Sequence, residues 1–460
     1  DSTVTSVGDY AFAYCKALTS VNLQNAKQIG AKSFTWCSSL ASLNFPELET
    51  IGSDAFTSSA IEKVFFPKVT TIGGSVFYNC NKIHTVNFPN ATTIPTSAFT
   101  NCKKLKHVSF PKATTIANSA FSSAGRFFVA DFPLVTSIGS GAFSSFYPLG
   151  ALVLRNESQI CTLQSTSAFS GTALSKNVGY IYVPRSLLSD TDANSDYRRA
   201  TNWATFSDRF RVLEDYTVDG TTSGDLSESV FNIVAENLES VPSQLFNGAV
   251  GLCSFSAPNA TSVDGSAFLE SEIETIDLPL AKTIGNYAFK NCEKLTTVNL
   301  PVVETCGQET LSGCNSLVEL YLPELTATHS ISSCKNLTTV IVPKAITLNG
   351  LAVCINLETI DSSSATSIAN GTFSGSVKLK NIILRNTEQM CTLGTQYGTF
   401  RDTPFETGMG RVLVPNALLA TYQADSAWSR YSSNKFLAIE DYTVDGTITG
   451  AIDWDKLNAA

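Results

Sequence analysis

The sequence predicts an α/β repeat solenoid with two tandem arms, each closed by a strand–helix–strand cap. One observation is an Ala-Phe pair, or a close variant of it, that recurs at nearly constant spacing. The other is a longer segment outside this pattern that occurs twice with the same order of motifs. Sequences with a period of roughly 20–50 residues stack each unit on its neighbours instead of folding units alone. We therefore expect a core built coil upon coil.

The repeat is defined by its anchor residue. In the first series the anchors are spaced by 22, 22, 21, 22, 22 and 22 residues. Around each anchor the pattern I-G-x-x-A-F-x-x-C-x-x-L-x-x-V-x-F-P returns with substitutions. The anchors are, in the first series, Phe12, Phe34, Phe56, Phe77, Phe99, Phe121 and Phe143, and in the second series Phe246, Phe268, Phe289, Leu311, Ile331, Leu351 and Phe373.

Each unit contains one predicted strand. Val108 and Phe110 lie two residues apart, which places both side chains on one face of a strand. Pro111 ends that strand because it has no N–H for a sheet hydrogen bond. The rest of each unit is expected to return as short turns or helical pieces. The predicted strands cover 18–23, 40–45, 61–66, 83–88, 105–110, 127–132 and 149–154, then 230–235, 252–257, 273–278, 295–300, 317–322, 337–342, 357–362 and 379–384.

The repeat breaks twice in the same way. LVLRNESQICTL at 152–163 matches IILRNTEQMCTL at 382–393, and EDYTVDGT occurs at 214–221 and again at 440–447. Between the members of each pair lie a short strand and a helical candidate with Tyr and Trp, as expected for a plug that covers an open solenoid end. The predicted domains are arm 1 over 1–179, cap 1 over 180–218, a Gly/Thr/Ser-rich linker over 219–228, arm 2 over 229–409, cap 2 over 410–446, and a tail or the start of further sequence over 447–460.

These units resemble the leucine-rich repeats of the BspA-like surface proteins. The resemblance covers roughly 4–154 and 229–384, and departs from the pattern over 306–331. It implies a right-handed leucine-rich-repeat superhelix on the outside of a bacterium, in a family implicated in adhesion to host proteins or other cells. It supplies no residue-level binding site.

Composition, charge and the absence of known catalytic motifs argue against several classes of function. Charged residues make up 15% and the formal net charge is −9, without a Lys/Arg cluster, so we expect no nucleic-acid partner. The apolar runs are too short for a membrane span. Nucleophile motifs and metalloprotease or phosphate-loop motifs do not occur, so we expect neither an enzyme nor a cofactor.

The chain has 12 cysteines, most of them three residues after an anchor. Ser or Ala replaces Cys at this position in other units, for example at Ser59 and Ala124. This exchange favours small buried thiols over bonded ones. Disulfides between neighbouring coils and a metal site are the alternatives.

One acidic stretch is a weak calcium candidate. Alternating oxygen-bearing side chains resemble the start of a calcium loop, but Ser195 stands where such a loop needs Gly. The alternative is a solvated acidic loop. The candidate ligands are Asp190, Asp192, Asn194 and Asp196.

The outer face of the strands is the candidate binding surface. Most of its residues are small and polar, but a few are large, and aromatic anchors dominate many interfaces. Ordinary scatter of exposed apolar groups is the alternative explanation. The candidate binding residues are Phe65, Asn87, His107, Tyr321 and Ile341.

The sequence therefore favours a secreted or cell-surface leucine-rich repeat module, non-catalytic, that binds or adheres to a host extracellular or cell-surface protein or glycan. The alternative is a passive scaffold or stalk that presents other domains.

Overall fold

The structure is a computed structural model that describes residues 3–189, 196–328, 331–394, 398–431 and 435–459. It is a parallel β-solenoid with little helix. The chain divides into two compact units, Asp1–Ile233 with Gly248–Leu252, and Val234–Asn247 with Cys253–Ala460. Within the described residues the α-helices are Asn416–Ala424 and Trp454–Ala459.

Each coil contributes one longer strand to a parallel array. In the repeats these strands lie inside the predicted ones and are only three or four residues long. The first unit contains Ser20–Asn22, Ser42–Asn44, Lys63–Phe65, Thr85–Asn87, His107–Ser109, Val129–Asp131, Ala151–Val153, Tyr180–Val183 and Phe210–Val212, and Asn232–Val234 spans the boundary between the units. The second unit contains Ser254–Ser256, Thr275–Asp277, Thr297–Asn299, Glu319–Tyr321, Thr339–Ile341, Thr359–Ser362, Asn381–Leu384, Arg411–Val414 and Lys435–Ala438.

A second array of two-residue strands was not predicted. Its Thr-Ile or similar pairs combine β-branched side chains with one inward apolar residue, as a short half-buried strand requires. In regular coils the next residue donates to the coil before, as Gly73 N–H does to Ile51 O at 2.8 Å. Pro95 has no N–H to donate to Ile72, and the array is interrupted there.

These short strands are, in the first unit, Ser6–Val7, Gln28–Ile29, Thr50–Ile51, Thr71–Ile72, Thr93–Ile94, Thr115–Ile116, Ser137–Ile138 and Thr162–Leu163. In the second unit they are Ser240–Val241, Ser262–Val263, Thr283–Ile284, Thr305–Cys306, Thr347–Leu348, Ser367–Ile368 and Thr392–Leu393.

The Ala-Phe segment forms a third hydrogen-bonded side of the coil, and it is not helical. The residues that flank it are left-handed, with φ of 55° at Ser97 and 63° at Asn101. This backbone exposes alternate N–H groups to the next coil, so that Phe77 N–H donates to Ala98 O at 2.9 Å. Of the two alternatives predicted for this part of the repeat, short turns or helical pieces, the structure has turns, because these residues bond between coils and not along a helix.

The core is a stack of anchor rings. Phe99 lies 5.6 Å from Phe77 and 5.4 Å from Phe121, with the rings within 10° of parallel. All three side chains are buried. Each ring thus contacts the equivalent ring of the coil before and the coil after, which confirms the predicted stacking.

The cysteine column has a hydrogen-bonding role. Cys102 Sγ donates to Phe77 O of the preceding coil at 3.1 Å, and Ser376 Oγ donates to Leu351 O in the same way at 3.0 Å. Exchange between Cys and Ser therefore preserves a donor as well as size, which the sequence analysis did not foresee. The same sulfur-to-carbonyl bond is made by Cys37, Cys80, Cys292, Cys314, Cys334 and Cys354.

Short 3₁₀-helices accompany the segments beyond the repeats. In the first unit Trp203–Arg209 stands where a helix was predicted, whereas the second unit has the α-helix Asn416–Ala424 followed by Trp428–Tyr431. The remaining 3₁₀-helices are Thr166–Phe169, Leu174–Lys176, Arg185–Leu187, Leu213–Tyr216, Glu228–Phe231, Pro404–Thr407 and Ile439–Tyr442.

We predict that Phe99→Ala lowers the free energy of unfolding of the first unit by roughly 3–5 kcal/mol, because it removes a buried ring and leaves a cavity in the stack. Phe65→Ala is the control, since that ring is 62% exposed. Chemical denaturation measures both. Equal effects of the two changes would contradict the stacking.

We predict that Cys102→Ser is tolerated better than Cys102→Val, although Val is the more apolar replacement. Serine retains a donor for Phe77 O, whereas valine removes it and leaves that carbonyl with only the bond from Cys80 N–H, at a cost of roughly 0.5–1.5 kcal/mol. The melting temperatures of the two variants, measured by thermal unfolding, test this order of stability. A more stable Val variant would show that the column requires only a small apolar side chain.

Candidate functional site

Within the first unit the array of longer strands is interrupted in two places, between Ser42–Asn44 and Lys63–Phe65 and between His107–Ser109 and Val129–Asp131. The second of these interruptions borders a groove. Strand His107–Ser109 ends one sheet and strand Val129–Asp131 begins another, although they belong to consecutive coils. The short strands of the same two coils remain paired, Thr115 with Ser137 and Ile116 with Ile138. The two coils are therefore separated on one side only.

A backbone kink accounts for this separation. Gly125 has φ of +76°, and its N–H turns to Cys102 O while the following Arg126 N–H reaches Leu105 O. A Cβ on Gly125 would lie 2.5 Å from the ring of Phe146, which stands in the cysteine column of the next coil. Only glycine fits beside that ring in this conformation. A large residue in a column that usually holds a small one thus forces the neighbouring coil out of register.

A short extended segment occupies part of the interruption. Phe127 forms a parallel bridge with Val250, a residue that belongs to the first unit through the segment Gly248–Leu252. Phe128 N–H donates to Val250 O at 3.0 Å, and Val250 N–H donates to Arg126 O at 2.6 Å. The backbone of residues 126–128 therefore pairs with a strand that is not its neighbour in the repeat.

Beyond this segment an open groove remains. It has a volume of about 310 Å³ and is lined by residues 85–87 and 106–109 on one side and by residue 127 and residues 129–132 on the other. A second groove of about 510 Å³ continues from it past Asp131 and Arg155. Ligand sites in proteins commonly have volumes of roughly 300–1,000 Å³, so both grooves are large enough for a small ligand or a short segment of chain.

Three of the predicted binding residues lie beside the first groove. Phe65 and Asn87 are register partners on adjacent strands. His107 lies on the third strand and is the register partner of Thr85, which shares a strand with Asn87. Phe65 is 62% exposed, His107 is exposed and Asn87 is half-buried. The Oδ1 atom of Asn87 is buried and has no hydrogen-bond partner among the described residues. The structure therefore brings a large apolar group and two polar groups to one face.

The other two predicted residues form a separate pair in the second unit. Tyr321 is the register partner of Ile341 on adjacent strands. Tyr321 is 60% exposed and Ile341 is half-buried. Asp361, next to Ile341 in register, is engaged by Arg385 through bonds of 2.9 and 2.8 Å.

Arg155 holds together the chain segments that line the second groove. Arg155 donates to both carboxylate oxygens of Asp131, and its third nitrogen donates to the carbonyls of Thr222 and Gly224. Residues 219–228, predicted as the linker between the arms, thus contain a hydrogen-bonded turn held against the sheet. Arg385 makes the equivalent bonds to Asp361, Ile448 and Gly450 in the second unit.

Four of the cysteines lack the environment of a catalytic nucleophile. Burial raises the pKa of Cys80 to about 11 and the pKa of Cys292, Cys306 and Cys391 to about 12. A reactive cysteine needs the opposite shift, because the thiolate is the nucleophile. Within the described part of the chain, no group of three or more His, Cys, Asp or Glu side chains is placed to hold a metal ion.

Of the calcium candidates, Asp190, Asp192 and Asn194 lie outside the described residues. Asp196 is buried and is bound by Arg198 at 3.0 Å and by Arg199 at 3.6 Å. Burial alone would raise the pKa of the Asp196 carboxyl, but the hydrogen bonds and charge of the two arginines outweigh it and lower that pKa. This carboxylate is already neutralised by protein side chains.

Sequence reasoning missed the residues that create the groove. The sequence does contain a sign of the groove. Residues 122–128 read SSAGRFF where the repeat has x-x-C-x-x-L-x, and Phe146 stands in the cysteine column of the next coil. Consecutive departures from a repeat mark the place where stacking changes.

Comparison with known proteins shows which family has this architecture. A profile described as the BspA-type leucine-rich repeat region, in six copies, matches residues 5–127, 70–185, 226–332 and 327–397, which is more than half of the chain. The chain belongs to the BspA-type leucine-rich repeat family. No curated protein matches this BspA-type chain.

Several solved structures are similar in fold. A leucine-rich cell surface protein from Faecalibacterium prausnitzii is 21% identical, with 78% of this chain and 83% of that one covered and a TM-score of 0.33. A leucine-rich repeat protein from Bacteroides ovatus is 19% identical over 95% and 82%, with a TM-score of 0.28. The pneumococcal vaccine antigen PcpA is 15% identical over 95% and 85%, with a TM-score of 0.33.

Among the described residues of this BspA-type chain, no helix combines the length and apolar character that crossing a membrane requires.

We predict that Arg155→Met exposes the 217–226 turn to proteases and lowers the melting temperature, because it removes charged hydrogen bonds worth roughly 1.5–3 kcal/mol each. Arg185→Met is the control: its ion pair with Asp215 is exposed on both sides and such pairs contribute roughly 0–1 kcal/mol. Limited proteolysis with mass spectrometry locates the cuts. Equal resistance of both variants would contradict the role of Arg155.

Proposed function

We propose that this protein is a non-catalytic binding module that acts outside a bacterium or on its surface and adheres to a protein or glycan partner. The observation that carries the proposal is the face formed by Phe65, Asn87 and His107 beside the groove. An exposed aromatic ring next to hydrogen-bonding groups is the usual composition of an interface anchor. Membership of the BspA-type family supports the location.

The chemistry of the chain supports binding over catalysis. The buried thiols of Cys80 and Cys292 have raised pKa values, and His84 Nδ1 lies 3.0 Å from the neighbouring Thr85 Oγ1, an ordinary strand contact. The net charge of −9 disfavours nucleic acid and anionic membrane surfaces. Proteins and glycans remain as the classes of partner.

The architecture we propose for this role is two tandem arms, each closed by its own end module. Its support is the repeated anchoring of the end segments: Trp203 Nε1 donates to Cys161 O at 2.6 Å, and Trp428 Nε1 donates to Cys391 O at 2.7 Å. In this arrangement Tyr321 and Ile341 are a second contact surface on the other arm.

We predict that Phe65→Ser combined with His107→Ser weakens binding of the full chain at least tenfold to whichever ligand a glycan array and a screen of extracellular-matrix proteins identify. The melting temperature should stay unchanged, because both side chains are exposed. Tyr147→Ser, which changes another exposed aromatic of the first unit, is the control and should not alter binding.

Undiminished binding by the Phe65→Ser, His107→Ser variant, and again by Tyr321→Ser with Ile341→Ser, would overturn the proposed face. Failure of the chain to bind any partner in these screens would favour the passive scaffold.

A further inference from the structure

We propose that the interruption between strands His107–Ser109 and Val129–Asp131 binds an extended peptide through backbone pairing. The inference rests on the proposed function and names the class of ligand for the same face: a polypeptide segment that inserts as an additional parallel strand. Insertion of a strand into a sheet is a recurrent way to bind peptides, because main-chain hydrogen bonds supply affinity and side-chain pockets supply specificity.

The first argument is an unused backbone group. In the regular coil before the interruption, Phe88 N–H donates to Ser109 O of the next coil at 3.0 Å. Phe110 occupies the same repeat position one coil later, its residue is 2% exposed, and its N–H makes no corresponding bond to Asp131. Phe45 N–H likewise makes no bond to Phe65 at the first interruption, so the missing bond marks an interruption and the groove that Asp131 lines makes this one the candidate site. Buried backbone groups are almost always paired. A peptide carbonyl in the groove would supply the acceptor that the next coil supplies elsewhere.

The second argument is the segment already inserted at one end. Val250 pairs with residues 126–128 in the parallel orientation, through one accepted and one donated backbone bond. The strand Val129–Asp131 directly continues residues 126–128, and both Phe127, the bridge partner of Val250, and this strand line the groove. Paired backbone at one end shows that the separation of the coils suits a strand. A peptide in the groove would pair with the strand Val129–Asp131 as Val250 pairs with residues 126–128.

The third argument is the lining. Val86 and Val108 on one side and Ala130 on the other give the groove an apolar floor, whereas Asn87, His107 and Ser109 stand at its rim. Side chains of a strand alternate between two faces. The lining therefore fits a segment with alternating small apolar and polar residues.

The chain itself provides a probe with this pattern. Residues 83–88, Ile-His-Thr-Val-Asn-Phe, contain the strand Thr85–Asn87, which already pairs with His107–Ser109 from the other side. We would measure binding of this hexapeptide, acetylated, amidated and carrying a fluorophore, to the full chain by fluorescence anisotropy. The matched probe carries N-methyl groups on its Val and Asn, which removes two N–H donors and keeps the side chains.

Two variants test the place of binding. Ser109→Trp fills the rim of the groove, and Asn22→Trp puts the same side chain at the same repeat position on a strand that is paired to its next coil. We expect saturable binding of the hexapeptide, at least tenfold weaker for the N-methylated probe and for Ser109→Trp, and unchanged for Asn22→Trp. Circular dichroism and melting temperature establish that both variants are folded.

Equal binding of the two probes, equal binding by Ser109→Trp, or no saturable binding would each overturn the strand-insertion proposal. If the hexapeptide fails while Phe65→Ser with His107→Ser still weakens the screened ligand, the binding face stands and the inserted strand is rejected. If the hexapeptide binds as expected and those face variants have no effect, strand insertion stands and the outer face is rejected as the contact surface.

Discussion

The contact between one anchor residue and the next determines the rest of this structure. In a typical coil the phenylalanine ring stacks on the ring of the neighbouring coil, as Phe77 does on Phe99. Its backbone carbonyl accepts a hydrogen bond from the Cys or Ser of the following coil, as Phe77 O does from Cys102 Sγ. The ring fixes the distance between coils and the thiol fixes their register. Two left-handed residues flank each anchor at a cost of roughly 1–2 kcal/mol apiece, and the bonds between coils offset that cost.

Because each coil contacts only its neighbours, a local departure from the pattern has a local effect. Phe146 in a column of small residues requires Gly125 opposite it, and the kink at Gly125 displaces the strand that follows. The ring stack continues through these coils, with Phe121 and Phe143 5.4 Å apart. The coils therefore stay joined through their core while their outer strands separate, which creates a groove without loss of the core.

Much of the fold follows from spacing alone. The anchors, the buried columns and the position of the longer strands could be predicted because a period of about 22 residues has only one way to bury Phe99 and its equivalents. The choice between turns and helical pieces could not, since nothing in one unit shows that its N–H groups bond to the next coil. The candidate face could be predicted from alternation along strands, as for Phe65. The groove could not, because it depends on how Gly125 and Phe146 meet across two coils.

The most direct test of this account is hydrogen exchange, followed by NMR, at the amides of Phe88 and Phe110 in the free protein. These amides occupy the same position in consecutive coils, but only Phe88 donates across to the next strand. Loss of a bond worth about 1–1.5 kcal/mol corresponds to roughly tenfold, so we expect the Phe110 amide to exchange about tenfold faster or more. Equal protection of the two amides would show that the coils are paired in solution and would contradict the interruption on which the binding site depends.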